Sequence, residues 1–243
     1  MFLNHRTEGF ILKKENSGEA SQIILVYTKN FGKIEVLAKA IRKLNSKLKS
    51  STQVFYLSEI EFVQGKAQKT LTDALSIEKF PGIRKDILKL RLAYNFSRIF
   101  CELVKNQEAD RNLWQLLNDF FSVLNLESLT LSKALLFYYF FFWNLLDLLG
   151  YRPELNSCVL CRKKVVPPNI SWAVLEGGLV CNNCLARVKI KTERIETQTI
   201  KVLRLFLNQD WKAVRRLKTG PKLLEDLKVI AKNYFNHIHE ESR

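Results

Sequence analysis

Ser21-Gln22-Ile23-Ile24-Leu25-Val26-Tyr27-Thr28 and, one turn later, Lys33-Ile34-Glu35-Val36-Leu37-Ala38 decide the fold of the first third of the chain. Both are short, rich in β-branched residues and punctuated by Gly18 and Gly32, which is the pattern of strands. Glu8-Gly9-Phe10-Ile11-Leu12 precedes them, while Gln53–Val63 and a segment from about Lys69 to Ile77 follow. Within Gln53–Val63, Val54, Tyr56, Ser58, Ile60 and Phe62 take one face; Phe55, Leu57, Glu59, Glu61 and Val63 take the other. Five such strands within about eighty residues predict a small antiparallel barrel of the OB type, with an open sheet as the alternative. The aromatic side chains Phe10, Tyr27, Phe31, Phe55, Tyr56 and Phe62 are expected mostly to fill its interior, not to stack on bases.

From Pro81 the rhythm becomes helical. Ile87, Leu88, Leu90, Leu92, Ala93, Phe96, Ile99, Phe100, Leu103 and Val104 recur at helical spacing, and further helices are predicted over Asn112–Leu124 and Ser132–Leu149. Ala134–Trp143 is an unbroken apolar run, but it is too short to cross a bilayer and reads as a helix buried at the centre of a domain. Gly150 and Pro153 end it. Gly177-Gly178 then turns a hairpin between Trp172–Leu175 and Leu179–Val180, and helices over Thr197–Leu207 and Leu223–Ile238 return to pack on the middle bundle. The predicted class is α+β: an OB-fold-like antiparallel β-barrel (1–80), then a helical domain (81–243) with a zinc-knuckle module (154–192) inserted in it.

That module is predicted from two Cys-x-x-Cys pairs, Cys158/Cys161 and Cys181/Cys184. Paired knuckles at this separation favour one zinc ion over an iron–sulfur cluster, free thiols or disulfides; four thiolates fill its coordination shell, leave no position for a reacting water, and make the metal structural. The fifth cysteine, Cys101, lies in an apolar helical stretch and reads as a small core residue. An odd thiol count, with an N-terminus that lacks the order of a secretion signal, predicts a reducing, cytoplasmic setting.

The 243 residues carry a formal net charge of +15, which attracts polyanions without choosing among them. Lys39, Arg42, Lys43, Lys47 and Lys49 crowd into the segment between the third and fourth strands, with Lys33 just before them. These six are the predicted DNA contacts, against the plainer reading of a solvated, flexible loop. Further candidates flank the knuckles, namely Arg162, Lys163, Lys164, Arg187, Lys189 and Lys191, and a third cluster comprises Arg215, Arg216 and Lys218 near the turn at Gly220-Pro221. No phosphate-cradling Gly-x-x-x-x-Gly-Lys-Ser/Thr run occurs, and His237 and His239, two residues apart in a predicted terminal helix, read as tail residues. A binding protein is expected, not an enzyme.

In order along the chain, the sequence resembles the RecO family of bacterial recombination mediators. The resemblance is carried by Thr7-Glu8-Gly9-Phe10-Ile11-Leu12, by Gly18–Thr28, and by Phe31-Gly32-Lys33-Ile34-Glu35-Val36-Leu37-Ala38-Lys39-Ala40 running into Arg42-Lys43. Leu145-Leu146-Asp147-Leu148-Leu149-Gly150-Tyr151-Arg152-Pro153 leading to Cys158-Val159-Leu160-Cys161, then Gly177-Gly178-Leu179-Val180-Cys181 and Cys184, complete it. Family members often carry Gly where Ala40 stands, and the family varies at the knuckle cysteines. The resemblance implies binding of single- and double-stranded DNA and annealing of complementary strands. It also implies engagement of the C-terminal tail of single-stranded-DNA-binding protein and, with RecR, help in loading a RecA-type recombinase. The competing expectations are a zinc-containing transcription or RNA-binding factor, which would prefer one sequence or RNA, and an assembly adaptor whose basic surfaces grip acidic proteins.

Overall fold

The computed structural model describes residues 4–105, 108–166 and 170–241; Met1–Leu3, part of the stretch read for a secretion signal, lie outside them. Two compact units are present, Met1–Ser128 and Leu129–Arg243.

The first unit begins with strands β1 (Asn4–Ser17), β2 (Ser21–Thr28) and β3 (Gly32–Ala38), a single helical turn α1 (Leu48–Ser51), and strands β4 (Leu57–Gln64) and β5 (Lys69–Glu78). They close into a barrel in the order β1-β2-β3-β5-β4. The closure differs from a purely antiparallel design: β3 meets β5 in parallel, through Val36 opposite Lys69 and Leu37 opposite Thr70. Strand β1 is also longer than its predicted core Glu8–Leu12. A bulge between Ile11 and Lys13 bends it, so that it pairs with β4 along Asn4–Phe10 and with β2 along Gly9–Ser17. Here His5 stacks on Phe62, 5.2 Å away between ring centroids. Strand β4 starts at Leu57, not at Gln53, because Phe55 adopts φ 70°, a left-handed conformation that an extended strand cannot contain.

Alternation along β1 and β2 sorts the side chains into two cores. Ile11 opposite Val26 points inward, joining Ile24, Ile34, Val36, Ile41, Ile60, Phe62 and Leu71 in the barrel interior. Phe10 opposite Tyr27 points outward. These two and Phe55 are buried on the outer wall, under helices, and not inside the barrel. Helices α2 (Pro81–Arg84), α3 (Ile87–Leu103) and α4 (Arg111–Leu124) supply the cover. Phe10 lies against Phe80, Trp114 and Phe121, Tyr27 against Phe100, and Phe55 against Tyr94 and Phe121. Removing rings of this size from water stabilises by roughly 1.5–3 kcal/mol each, so α3 and α4 belong to the barrel unit. Their starts are set by Asp86, which accepts hydrogen bonds from the Leu88 and Lys89 amides, and by Asp110, which caps Asn112 and Leu113.

Helix α2 reaches α4 through a close backbone contact. The Gly82 N–H donates to Asn125 Oδ1 at 2.8 Å, and a Cβ on Gly82 would collide with the Asn125 carbonyl oxygen. Gly82→Ala is therefore expected to destabilise the chain by about 1–3 kcal/mol, read as a lowered melting temperature. An unchanged melting temperature would show that α2 yields without cost.

The second unit is built on α5 (Leu131–Leu148), which is buried along most of its length. It ends at Gly150, which takes φ 87°. The hairpin β6 (Ile170–Ala173) and β7 (Gly178–Cys181) follows, then the short α6 (Asn182–Leu185), α7 (Thr197–Leu207), α8 (Trp211–Arg216) and α9 (Pro221–Glu241). Both α7 and α9 pack on α5. The one polar side chain buried mid-helix in α5, Asn144, donates to the Phe140 carbonyl at 2.7 Å and to the Phe206 carbonyl of α7 at 3.1 Å. Trp143, Trp172 and Tyr234 form an aromatic cluster joining α5, β6 and α9. Among the described residues no helix is long and apolar enough to cross a membrane.

Candidate nucleic-acid interface and metal centre

Local geometry, not only spacing, assembles the four cysteines. In the first knuckle the Cys158 amide donates to the Lys163 carbonyl and the Arg162 amide to the Cys158 carbonyl, both at 2.8 Å. Ser157 and Lys164 form an antiparallel bridge. The chain reverses at Arg162, which holds φ 61°. In the second knuckle Cys181 ends β7 and begins α6, and the Arg187 and Val188 amides donate to the Cys184 carbonyl at 3.0 Å. The hairpin then ties the knuckles together: Val159 donates to the Leu179 carbonyl, Leu179 to the Glu154 carbonyl and Glu154 to the Gly177 carbonyl, each at 2.9 Å.

All four sulfur atoms consequently lie within 4.8 Å of one another, and Cys161 Sγ and Cys181 Sγ are 3.8 Å apart. Sulfurs at about 2.3 Å from a common tetrahedral ion would be separated by about 3.8 Å, so this donor set fits a metal ion. Burial raises the Cys158 thiol, but the backbone N–H groups of Cys161, Cys181 and Leu160 outweigh it and hold the group down to about 6. The knuckle backbone thus favours the thiolate at Cys158, while burial and then the neighbouring Cys161, Cys181 and Cys158 side chains push the Cys184 thiol up to about 12.

Gly178 sits where this stitching is tightest, since a Cβ there would strike the Glu154 carbonyl oxygen and Val159. Gly178→Ala is expected to cost about 1–3 kcal/mol and to lower the metal content of the purified chain. Unchanged metal content and melting temperature would sink that expectation.

The five cations Lys39, Arg42, Lys43, Lys47 and Lys49 are all exposed and lie on one connected segment of the barrel unit. None of them forms an ion pair among the described residues. The segment is a run of hydrogen-bonded turns, not a loose loop. The Arg42 amide donates to the Ala20 carbonyl at 2.9 Å, the Ala40 amide to Ser21 Oγ at 3.2 Å and the Lys43 amide to the Ala40 carbonyl at 3.1 Å. Ile41 is buried in the barrel core and Leu48 packs against it, pinning both ends of the basic run. Ala40, at φ 54°, occupies a conformation that glycine adopts without strain.

Lys33 is placed apart from these five. It stands at the opposite end of β3, its Nζ donates to the Cys101 carbonyl at 2.8 Å, and burial pushes its pKa down. Lys14, which charge spacing did not single out, lies beside Lys49. It pairs across the sheet with the inward-facing Ile24, is half-buried, and has its pKa lowered by burial and then by Lys49. Alternation counted from Ile11 would turn Lys14 outward; the bulge between Ile11 and Lys13 reverses it, so periodicity alone gave no signal for this residue.

In the second unit Arg162, Lys163, Lys164, Arg187 and Lys189 are exposed around the cysteine cluster. Lys191 lies slightly off, with Glu193, His237 and Glu240 on the lining of a cavity of about 230 Å³. Arg215 and Arg216 are on α8, a helix not foreseen from the sequence. Asp210 caps its start, and Lys133 Nζ donates to the carbonyls of Arg215 and Leu217 at its end. Both arginine side chains remain exposed, as does Lys218.

A closed five-strand barrel with an exposed cationic turn, followed by helices that carry a four-cysteine centre, defines a two-part, OB-barrel class of protein. The family model described as recombination protein O N terminal matches residues 1–80, and recombination protein O C terminal matches residues 84–239. The chain belongs to the recombination protein O family, RecO. A relative in Dehalococcoides mccartyi called DNA repair protein RecO is 28% identical over 237 residues, 97% of this chain and 91% of the relative. Similar proteins of the same name occur in Alkaliphilus metalliredigens, 28% identical over 94% of this chain and 91% of the relative, and in Halalkalibacterium halodurans, 25% identical over 98% and 92%.

Proposed function

We propose that this chain is a DNA-repair recombination mediator that works by binding, without catalysing a bond change. In this reading it anneals complementary strands and helps load a RecA-type recombinase onto single-stranded DNA coated by single-stranded-DNA-binding protein. Single- and double-stranded DNA, RecR and the C-terminal tail of single-stranded-DNA-binding protein are its partners, in the cytoplasm at the nucleoid. The observation that carries the reading is the exposed run Lys39, Arg42, Lys43, Lys47 and Lys49, free of ion pairs among the described residues, on the barrel of a RecO-family chain. Such a run neutralises phosphates and releases their condensed counterions, which favours binding and lets two backbones approach while bases find register. Lys33 is part of the proposed contact set, and Lys14 is added to it from its place beside Lys49.

The cysteine centre is proposed to hold a structural zinc ion through Cys158, Cys161, Cys181 and Cys184. Zinc would supply a closed tetrahedral cross-link and no open position for chemistry. The proposed organisation is a DNA-binding barrel over 1–80 and a helical domain over 81–243 with the module 154–192 inserted.

The test is annealing of two complementary labelled oligonucleotides, each pre-coated with the cognate single-stranded-DNA-binding protein, across a salt series. Acceleration without ATP that fades as salt rises supports the mediator. DNA binding without acceleration would instead favour a zinc-containing transcription or RNA-binding factor.

A further inference from the structure

Leu44 is 94% exposed, more than any other large apolar side chain among the described residues. A single apolar side chain in solvent is ordinary; the setting of this one is not. It stands in the middle of the cationic turn, with Arg42 and Lys43 before it and Lys47 and Lys49 after it. The two apolar residues that flank it point the other way: Ile41 is 1% exposed, and Leu48 packs against the barrel core. Their spacing of three and four residues would gather all three on one face of a helix. The segment is not a helix. The Lys43 amide donates to the Ala40 carbonyl, Ser46 to Lys43 and Lys49 to Ser46, at 3.1, 3.2 and 3.4 Å, and these bonds fold it into successive turns. Leu44 and Asn45 are the central residues of the second turn and form its tip. The Arg42 amide on the Ala20 carbonyl, at 2.9 Å, and the burial of Ile41 fix the start of the segment, so Leu44 is held away from the core.

The cations around Leu44 attract a phosphate backbone, but Leu44 has no polar atom with which to meet one. The apolar surface that a nucleic acid offers is the faces of its bases. In a regular duplex those faces are stacked on one another, and inserting a side chain between them means unstacking a step. In a single strand they are open, and contact with them tolerates any sequence because every base has such a face.

From this we infer that Leu44 is a wedge that enters between the bases of single-stranded DNA held by the cationic turn, and that it makes the barrel site prefer single strands to duplex. The five cations respond to charge, which both forms carry; Leu44 responds to whether bases are unstacked. A strand that finds its complement restacks its bases and leaves the wedge, so the turn keeps single strands and lets the paired product go. The inference rests on the proposed DNA-binding function and assigns its strand preference to one residue.

The experiment measures the affinity of the full chain for a mixed-sequence oligonucleotide and for its blunt duplex across a salt series. Leu44→Ser is expected to weaken single-strand binding about tenfold and to leave duplex binding within about twofold. The salt slope and the melting temperature should stay as they are, since the phosphate contacts and the core are untouched. Leu44→Phe should match or exceed the wild-type affinity for the single strand, because a larger apolar face covers more of a base. A stacking-sensitive fluorescent adenine analogue inside the strand should change its emission on binding the wild type and not on binding Leu44→Ser. Equal losses on both forms, a changed salt slope or a lowered melting temperature in Leu44→Ser would mean that the residue shapes the turn, and the inference falls. Unchanged single-strand affinity in Leu44→Ser would also overturn it while the DNA-binding function stands. If the wild type binds neither form, that function falls and the inference with it.

Discussion

Changing Lys39, Arg42, Lys43, Lys47 and Lys49 together to Gln is expected to lower affinity for single-stranded DNA by roughly a hundredfold or more at physiological salt. The slope of log affinity against log salt should flatten by up to about 3.5, since each phosphate contact to a single strand contributes about 0.7. Melting should hardly change. The five side chains are exposed and take part in no ion pair among the described residues, and surface substitutions of that kind fall within about 0.5 kcal/mol. The turns beneath them are held by backbone bonds to Ala20 and by the burial of Ile41, neither of which the substitutions touch. A salt slope unchanged in the variant would mean that this segment contacts no phosphates. A lowered melting temperature would mean that the loss was structural.

Cys158→Ser is expected to abolish metal binding and to loosen the module. Cys158 is the most buried of the four sulfurs' residues and accepts a hydrogen bond from the Cys181 amide at 3.5 Å, so it joins the two knuckles with or without the ion. Structural zinc in small modules contributes about 10–16 kcal/mol of binding free energy, part of which is spent in folding the site. Loss of it should expose residues 157–191 to proteolysis and lower the melting temperature of the second unit. The Trp143–Trp172–Tyr234 cluster should hold β6 in place, so a core of that unit survives.

Cys101→Ser is the control and should keep a full complement of metal. The same experiment can be read chemically. Burial pushes the Cys101 thiol from 9.0 up to about 11, so at pH 8 it holds about a hundredfold less thiolate than an ordinary thiol. After chelation the cluster cysteines should alkylate first and Cys101 last. Zinc retained by Cys158→Ser, or Cys101 alkylating first, would contradict this account.

Much of the fold was legible because it rests on local periodicity. The alternation over Ser21–Thr28 and Lys33–Ala38 corresponds to β2 and β3 almost residue for residue, and the apolar spacing over Thr197–Leu207 corresponds to α7. The spacing of the two Cys-x-x-Cys pairs pointed to a cluster, and the sulfurs are clustered. Features set by one residue's backbone or by a short element were less visible. Gln53–Tyr56 alternates as a strand does, but Phe55 turns left-handed to bring its ring under Tyr94 and Phe121. Helix α8 is six residues long, too short for a helical period to repeat convincingly.

The sequence by itself determined the longer strands and helices, where positive charge is dense and which residues can ligate a metal, because each follows from composition and spacing along the chain. Only the tertiary structure decided which face of the barrel each aromatic ring covers. It alone assigned α3 and α4 to the barrel unit, and it alone tied Lys33 to the Cys101 carbonyl while setting Lys14 beside Lys49. The physical reason is that these outcomes depend on partners remote in sequence. A strand's two faces are equivalent until something packs on one of them, and a lysine's role is set by whatever acceptor or cation the fold brings within reach.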